Sequence, residues 1–136
     1  MRAKGAAAAA ALNESGRVTI LAAPEGTGAQ LFRRGPATAN QEVPTADIRF
    51  RRSETLRVMV PAAAAAAPDG ARLLDRTGKA LAIPVTPSPI DEVDGSRWLS
   101  TQIALAPLAP GDYVLETMAA QGGTRRRMLT AFRVVP

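Results

Sequence analysis

The chain has 136 residues, of which 46% are hydrophobic and only 4% aromatic, so it can hold one domain with a modest core and at most a tail. It contains no histidine and no cysteine, which excludes disulfides, metal sites built on those residues, and Ser-His-Asp or cysteine nucleophiles. The 17 basic residues, nearly all arginine, outnumber 12 acidic ones for a net charge of +5, which is typical of a protein with an anionic partner but also of composition bias from GC-rich DNA.

Residues 1–16 predict a short alanine-rich helical segment. Arg2 and Lys4 precede an apolar stretch from Gly5 to Leu12, and Gly16 can take the left-handed conformation that ends a helix. A secretion signal also has a basic start followed by an apolar core of about 7 to 15 residues, and it is the alternative for this segment. No stretch of the sequence reaches the roughly 18 apolar residues of a membrane-spanning helix, so no membrane span is expected.

Residues 17–45 predict one strand and a long linker. The strand runs from Arg17 to Ala23, a stretch with β-branched residues, and ends at Pro24. Between Pro24 and Pro44, repeated glycine and proline residues favour a loop, interrupted by one strand-like stretch from Ala29 to Arg33.

Alternating apolar residues mark the strands that follow Ala46. Ile48 and Phe50 alternate with arginines, and an apolar residue recurs at every second position from Leu56 to Val60. A period of two places one set of side chains on a buried face and the other in solvent. We therefore expect Ile48 and Phe50 to lie together in the core.

The rest of the chain carries short strands with turns about every ten residues. In chain order we predict a hairpin over 71–85, a proline-rich crossing over 84–89, a strand from Arg97 to Leu105, and two terminal strands, Tyr113 to Ala120 and Arg126 to Val135. This spacing predicts an all-β fold, with an immunoglobulin- or fibronectin-like antiparallel β-sandwich over residues 46–136. A small barrel is the alternative.

The sharpest local signal surrounds Tyr113. Pro110 and Gly111 form a turn just before it, and in antiparallel sandwiches a tyrosine at such a corner can bury its ring and hydrogen-bond a nearby main-chain group. We predict a tyrosine corner in which these three residues are structural. Trp98 is likewise expected to be a structural residue of the sandwich core rather than a ligand platform.

Two clusters of arginine define a possible basic interaction face, Arg49, Arg51, Arg52, Arg125, Arg126 and Arg127. If Phe50 and Phe132 were exposed between them, the surface would suit single-stranded nucleic acid, which needs both phosphate neutralisation and base stacking. The alternation predicts that Phe50 is buried, so a solvated basic face is the simpler interpretation.

No arrangement of residues reads as an active site or as a cofactor site. Asp91, Glu92 and Asp94 share one loop, but their spacing departs from the alternating ligands of a calcium-binding loop. The cluster predicts a solvated turn that ends at Gly95. We therefore expect no enzyme activity, no cofactor and no bound metal.

The stretches Ala29 to Pro36 and Val43 to Glu54 resemble the C-terminal region of bacterial von Willebrand factor A-related proteins. The resemblance covers roughly residues 28–136 and implies a β-sandwich placed after a larger A domain in an extracytoplasmic protein. Residues 1–16 would then be the remnant of an upstream domain. The Asp-x-Ser-x-Ser motif of that A domain is not found in this sequence, so the resemblance carries over no metal site.

Together these observations predict a non-catalytic β-sandwich that contacts protein, either a neighbouring domain or a partner chain. Binding of nucleic acid or another polyanion is the alternative function. The two differ in salt dependence, because phosphate-driven binding weakens steeply between about 50 and 200 mM salt.

Overall fold

A computed structural model describes residues 28–136; the predicted helical segment 1–16 and the predicted strand from Arg17 to Ala23 lie outside that range. The described part forms nine strands and one short 3₁₀ turn, Pro36–Thr38. The strands are β1 (Gln30–Arg34), β2 (Val43–Thr45), β3 (Arg49–Arg51), β4 (Thr55–Ala62), β5 (Ala67–Asp75), β6 (Ser88–Asp91), β7 (Arg97–Ala104), β8 (Gly111–Gln121) and β9 (Thr124–Val135).

The strands form two sheets, so the described part is all-β as predicted. One sheet has four strands in the order β3-β9-β8-β5, and the other has five in the order β2-β1-β4-β7-β6. Every neighbouring pair is antiparallel except β3 and β9, which run parallel with Phe50 opposite Val134. Within residues 28–136, no helix is long and apolar enough to cross a membrane.

The core lies between the two sheets because each strand turns every second side chain inward. Leu56, Val58 and Val60 of β4 are buried, and the five-stranded sheet adds Leu99 and Ile103 from β7. The four-stranded sheet supplies the other wall of the same cluster, in particular Phe50, Leu73, Tyr113, Leu115, Phe132 and Val134. Both sheets therefore share one core.

Aromatic residues concentrate at one end of this core, where β8 begins and β9 ends. The ring of Phe132 stacks on Tyr113 with centroids 5.7 Å apart, and Phe50 meets Phe132 edge to face at 6.4 Å. The guanidinium of Arg33 lies 4.5 Å from the centroid of the Phe50 ring. We call this region the aromatic end.

Several elements differ from the sequence predictions. Ile48 is 48% exposed rather than buried with Phe50, because β3 begins only at Arg49 and the alternation does not extend upstream of it. Strands β2 and β6 form in stretches predicted as loop and as a proline-rich crossing. Of the hairpin predicted over 71–85, the second arm makes a single bridge, Leu74 to Ala80.

Candidate functional site

A cleft of about 450 Å³ opens between the sheets at the end opposite the aromatic end. β4 and β8 finish here and β9 starts here, so the connection from β4 to β5 and the hairpin from β8 to β9 form its walls. Its lining is mostly small and apolar, with polar groups added by the hairpin: Ala62, Ala63, Ala66, Ala119, Ala120, Gln121, Thr124, Arg126 and Met128. We call it the alanine cleft.

The alanine run that the sequence shows after Pro61 explains the open space. A turn closed by the Ala66 amide donating to the Ala63 carbonyl at 2.9 Å joins β4 to β5. Methyl groups in this turn and at Ala119 are too small to fill the gap between the sheets, whereas leucines and aromatic rings fill it deeper in the core. The cleft is thus a direct result of residue size.

Arg126 occupies an inward-facing position at the mouth of the cleft. Thr130, Phe132 and Val134 of β9 face the core, and the same period of two brings Arg126 to that side of the strand, opposite Ala119 of β8. Among residues 28–136, its side chain has no ion-pair partner. It lines the cleft as an exposed cation.

Both sequence neighbours of Arg126 bind carboxylates on the outer face of the four-stranded sheet. The Nε of Arg125 lies 2.6 Å from the Asp69 carboxylate, and Arg127 donates to buried Glu116. Because these two arginines are held on the outer face, the residue between them is held inward. The hairpin therefore presents one arginine to the cleft and two to the outer surface.

Glu116 is the charge that anchors this outer face. It is 3% exposed, and it accepts from Arg127 of β9 and, at 2.7 Å, from Arg72 of β5. Burial raises the pKa of Glu116, but the hydrogen bonds and positive charges of Arg72 and Arg127 outweigh burial and bring the pKa below its ordinary value. The ionised carboxylate therefore clamps three strands together.

The arginines that the sequence grouped as a basic face lie in two separate places. Arg49 lies opposite Arg133 near the end of β9, while Arg125 to Arg127 lie near its start. Six residues of strand separate Arg127 from Arg133, which is about 20 Å. The structure therefore does not bring the two groups into one patch.

Most of these arginines already have partners. Arg49 pairs with Asp47 at 3.1 Å, whose pKa is lowered by hydrogen bonds from Arg49, and Arg52 donates to the Ala106 carbonyl. Of the six, only Arg51 and Arg126 have side chains without a hydrogen-bond partner among the described residues. Three of the six, Arg49, Arg125 and Arg127, are thus neutralised by carboxylates.

The outer face of the five-stranded sheet carries a half-buried apolar strip. Trp98 of β7 lies between Pro61 of β4 and Ile90 of β6, and Met59 and Phe32 continue the strip across neighbouring rows of the same face. We call these five residues the tryptophan face. Arg57, bound to Glu42 at 2.7 Å and to Ser100 at 2.8 Å, lies beside it.

The tryptophan face was missed because the sequence analysis placed Trp98 in the core. Trp98 is half-buried and lies outside the core cluster. Its neighbour Leu99 is fully buried, so the period of two sends Trp98 to the opposite face of the sheet. Leu99 and Ile103 at odd positions were the signal that could have shown this.

At the aromatic end, Tyr113 makes the hydrogen bond that a tyrosine corner requires. Its hydroxyl donates to the Ala109 carbonyl at 2.6 Å, four residues upstream, while its ring packs on Phe132. Between them, Pro110 precedes Gly111, whose φ of 154° lies in a region that favours glycine. These three residues fix the entry of β8 into the sheet.

Glu54 forms a second anchor at the same end. Its carboxylate is buried, accepts from Arg33 at 3.1 Å and accepts from the Arg51 amide at 2.8 Å. A Cβ added at Gly35 would lie 2.9 Å from the Glu54 Cγ. Glycine is thus needed at position 35 for close approach, and the anchor joins β1 to the turn between β3 and β4.

The acidic loop behaves as a turn. Asp91 pairs with Arg97 at 2.7 Å, and Asp94 accepts from the amide and hydroxyl of Ser96, which lowers the pKa of Asp94. Within the described part of the chain, no group of three acidic residues is placed to hold a metal ion.

Comparison of the chain with known protein families, with curated proteins and with solved structures finds no match.

Proposed function

We propose that this protein is a non-catalytic β-sandwich of immunoglobulin type that binds another protein through the tryptophan face. The strand order supports the immunoglobulin assignment. Strands β1, β4, β7 and β6 follow the order A-B-E-D, and β5, β8 and β9 follow C-F-G. The parallel pairing of β3 with β9 then corresponds to a first strand that crosses from one sheet to the other.

The composition of the tryptophan face is the observation that carries the proposal. Tryptophan, phenylalanine, methionine and arginine are the residue types enriched at protein interfaces, and tryptophan dominates their energetic centres. Here Trp98, Met59 and Phe32 share one sheet face with Arg57, and all of them are partly exposed. A sheet face with these residues gains from being covered by a partner.

The outer face of the other sheet provides the contrast. Among the described residues it presents no aromatic side chain, and its partly buried Val114, Met118 and Leu129 lie among the ion pairs Arg72–Glu116, Arg127–Glu116 and Arg133–Asp112. Such a face gains little from a protein partner, because its charges would lose solvent without new hydrogen bonds. The two outer faces therefore differ in what they can bind.

The experiment is to isolate a protein partner by crosslinking, purify it and titrate it against matched variants. Met59→Ser and Met118→Ser remove the same side chain from half-buried positions on the two outer faces. We expect Met59→Ser and Trp98→Ala to weaken binding at least tenfold and Met118→Ser to change it less than twofold. Equal effects of the two methionine variants would contradict the proposal.

We propose further that this sandwich is the C-terminal part of a larger, extracytoplasmic protein related to the von Willebrand factor A family. The support is the resemblance of Ala29 to Pro36 and Val43 to Glu54. Sequencing the source DNA upstream of the Met1 codon tests it. A reading frame that continues into an Asp-x-Ser-x-Ser domain supports the proposal, and a stop codon close upstream counts against it.

A further inference from the structure

The floor of the alanine cleft, formed by Ala62, Ala66, Ala119 and Ala120, offers a ligand few main-chain groups, although, within the described part of the chain, the edge of β9 that faces away from β8 is unpaired over residues 124–132 at the mouth. The amides and carbonyls around Ala119 and Ala120 lie between β5 and β9, both of which pair with β8 there. The Ala66 carbonyl accepts from Arg97 at 2.7 Å, and the Ala63 carbonyl accepts from Ala66. An occupant of this floor must therefore be one that needs no hydrogen bonds.

This requirement favours an alkyl chain over a peptide. A peptide would bury amides without partners, at a cost of about 1 to 3 kcal/mol for each, whereas methylene groups gain from contact with alanine methyls and with the Met128 side chain. A water molecule takes about 30 Å³ and a methylene group is of similar size. At about 30 Å³ for each group, the 450 Å³ of the cleft has room for a chain of up to about fifteen carbons, and a ten-carbon chain fits within it.

The mouth of the cleft adds one positive charge. The register of β9 turns Arg126 inward, and the ion pairs of Arg125 and Arg127 on the outer face hold it there. A guanidinium binds a carboxylate with two parallel hydrogen bonds. Gln121 and Thr124 beside it can donate to the same group.

We propose that the alanine cleft binds a medium-chain fatty acid, with the alkyl chain on the alanine floor and the carboxylate at Arg126. The site is distinct from the tryptophan face, so it stands or falls independently of the proposed function. Two features of this chain support it together: a largely apolar cavity with room for such a chain, and an inward-facing cation, Arg126, that has no ion-pair partner among the described residues.

The test is an NMR titration with sodium decanoate, kept below the concentration at which decanoate forms micelles. The 136-residue chain is labelled with ¹³C at its methionine methyl groups. Met128 lines the cleft, while Met59 and Met118 lie on the two outer faces and act as internal controls. We expect the Met128 resonance to shift saturably and the other two to stay in place. Hexanoate and octanoate should bind more weakly, by two- to fourfold for each methylene removed.

Variants separate the charge from the cavity. Arg126→Gln should weaken decanoate binding at least fivefold and leave 1-decanol binding unchanged, while Arg125→Gln, which alters the outward-facing neighbour, should have little effect on either ligand. Ala63→Phe, in the wall of the cleft, should narrow the cleft and weaken the binding of both ligands. Ala82→Phe is the control, at an exposed alanine outside the lining.

Three results would overturn the proposal. The first is the absence of a saturable shift at Met128. The second is an affinity that does not change with chain length. The third is an equal loss of decanoate binding in Arg125→Gln and Arg126→Gln, because equal losses would show that only the net charge of the protein matters.

Discussion

The two ends of the sandwich differ in how the space between the sheets is filled. At the aromatic end, Phe50, Tyr113 and Phe132 fill the space between the sheets and two buried polar anchors close the connections over them. At the other end, alanines leave the sheets apart and a cation faces inward. One end is filled with side chains that stabilise the fold, and the other leaves a cavity between the sheets.

The largest loss of stability is expected when a ring is removed from the aromatic end. Phe132→Ala should lower the free energy of unfolding by about 3 to 5 kcal/mol, because it deletes contacts with both Phe50 and Tyr113 and leaves a cavity. Met128→Ala, on the same strand at the cleft, should cost much less because Met128 is only partly buried. Urea unfolding followed by circular dichroism measures both, and equal losses would contradict the division.

A smaller loss is expected at the Glu54 anchor. Gly35→Ala places a methyl group 2.9 Å from the Glu54 Cγ, and such overpacking costs about 1 to 3 kcal/mol. The backbone at Gly35 is extended, so sterics alone explain the loss. In a Glu54→Ala background the contact with the Glu54 Cγ disappears, so Gly35→Ala should cost less free energy of unfolding there. If the two substitutions instead have additive effects, this double-mutant cycle would count against the steric explanation.

Acid should loosen the four-stranded sheet around Glu116. The folded pKa of Glu116 lies below its ordinary value of 4.5, so its contribution to stability is fully present above that value and is lost as the pH falls through the folded pKa. Glu116→Gln should remove about 1.5 kcal/mol at pH 7, where two charge-assisted hydrogen bonds are lost. Amide exchange at residues 124–128 should rise on acidification of the wild-type chain and should already be raised at pH 7 in Glu116→Gln. Equal exchange of the two chains at pH 7 would argue against the clamp.

The smallest effect concerns the tyrosine corner. Tyr113→Phe keeps the ring against Phe132 and removes only the hydroxyl that donates to the Ala109 carbonyl. We expect a loss of about 1 kcal/mol in thermal or urea unfolding. An unchanged stability would mean that the hydrogen bond to Ala109 contributes nothing to the aromatic end.

Several strands could be predicted from the sequence alone. The alternation from Leu56 to Val60 predicted β4 closely, and the regular spacing of turns predicted β8 and β9 to within two residues at each end. Strands β2 and β6 escaped prediction because each is a short edge strand that contains proline, Pro44 or Pro89, and proline is tolerated at an edge where no hydrogen bond is required. Strands β2 and β6 form because each pairs with a longer neighbour, β1 or β7, and not because of a pattern in their own residues.

The candidate sites depend on information that no single segment contains. The inward position of Arg126 could have been read from the period that it shares with Phe132 and Val134. The cleft could not, since it forms where the alanine turn after Ala62 meets a hairpin far along the chain. Trp98 was misplaced because a large aromatic residue was assumed to be buried, although its parity with Leu99 indicated the outer face.

The parallel pairing of β3 with β9 has a consequence for synthesis. Phe50 meets Val134 and Phe132, partners that the ribosome adds only after more than eighty further residues. Contacts so distant in sequence slow folding, because a long loop must close before they form. The aromatic end therefore cannot be completed until β9 has been synthesised, and until then the Phe50 ring lacks these two partners.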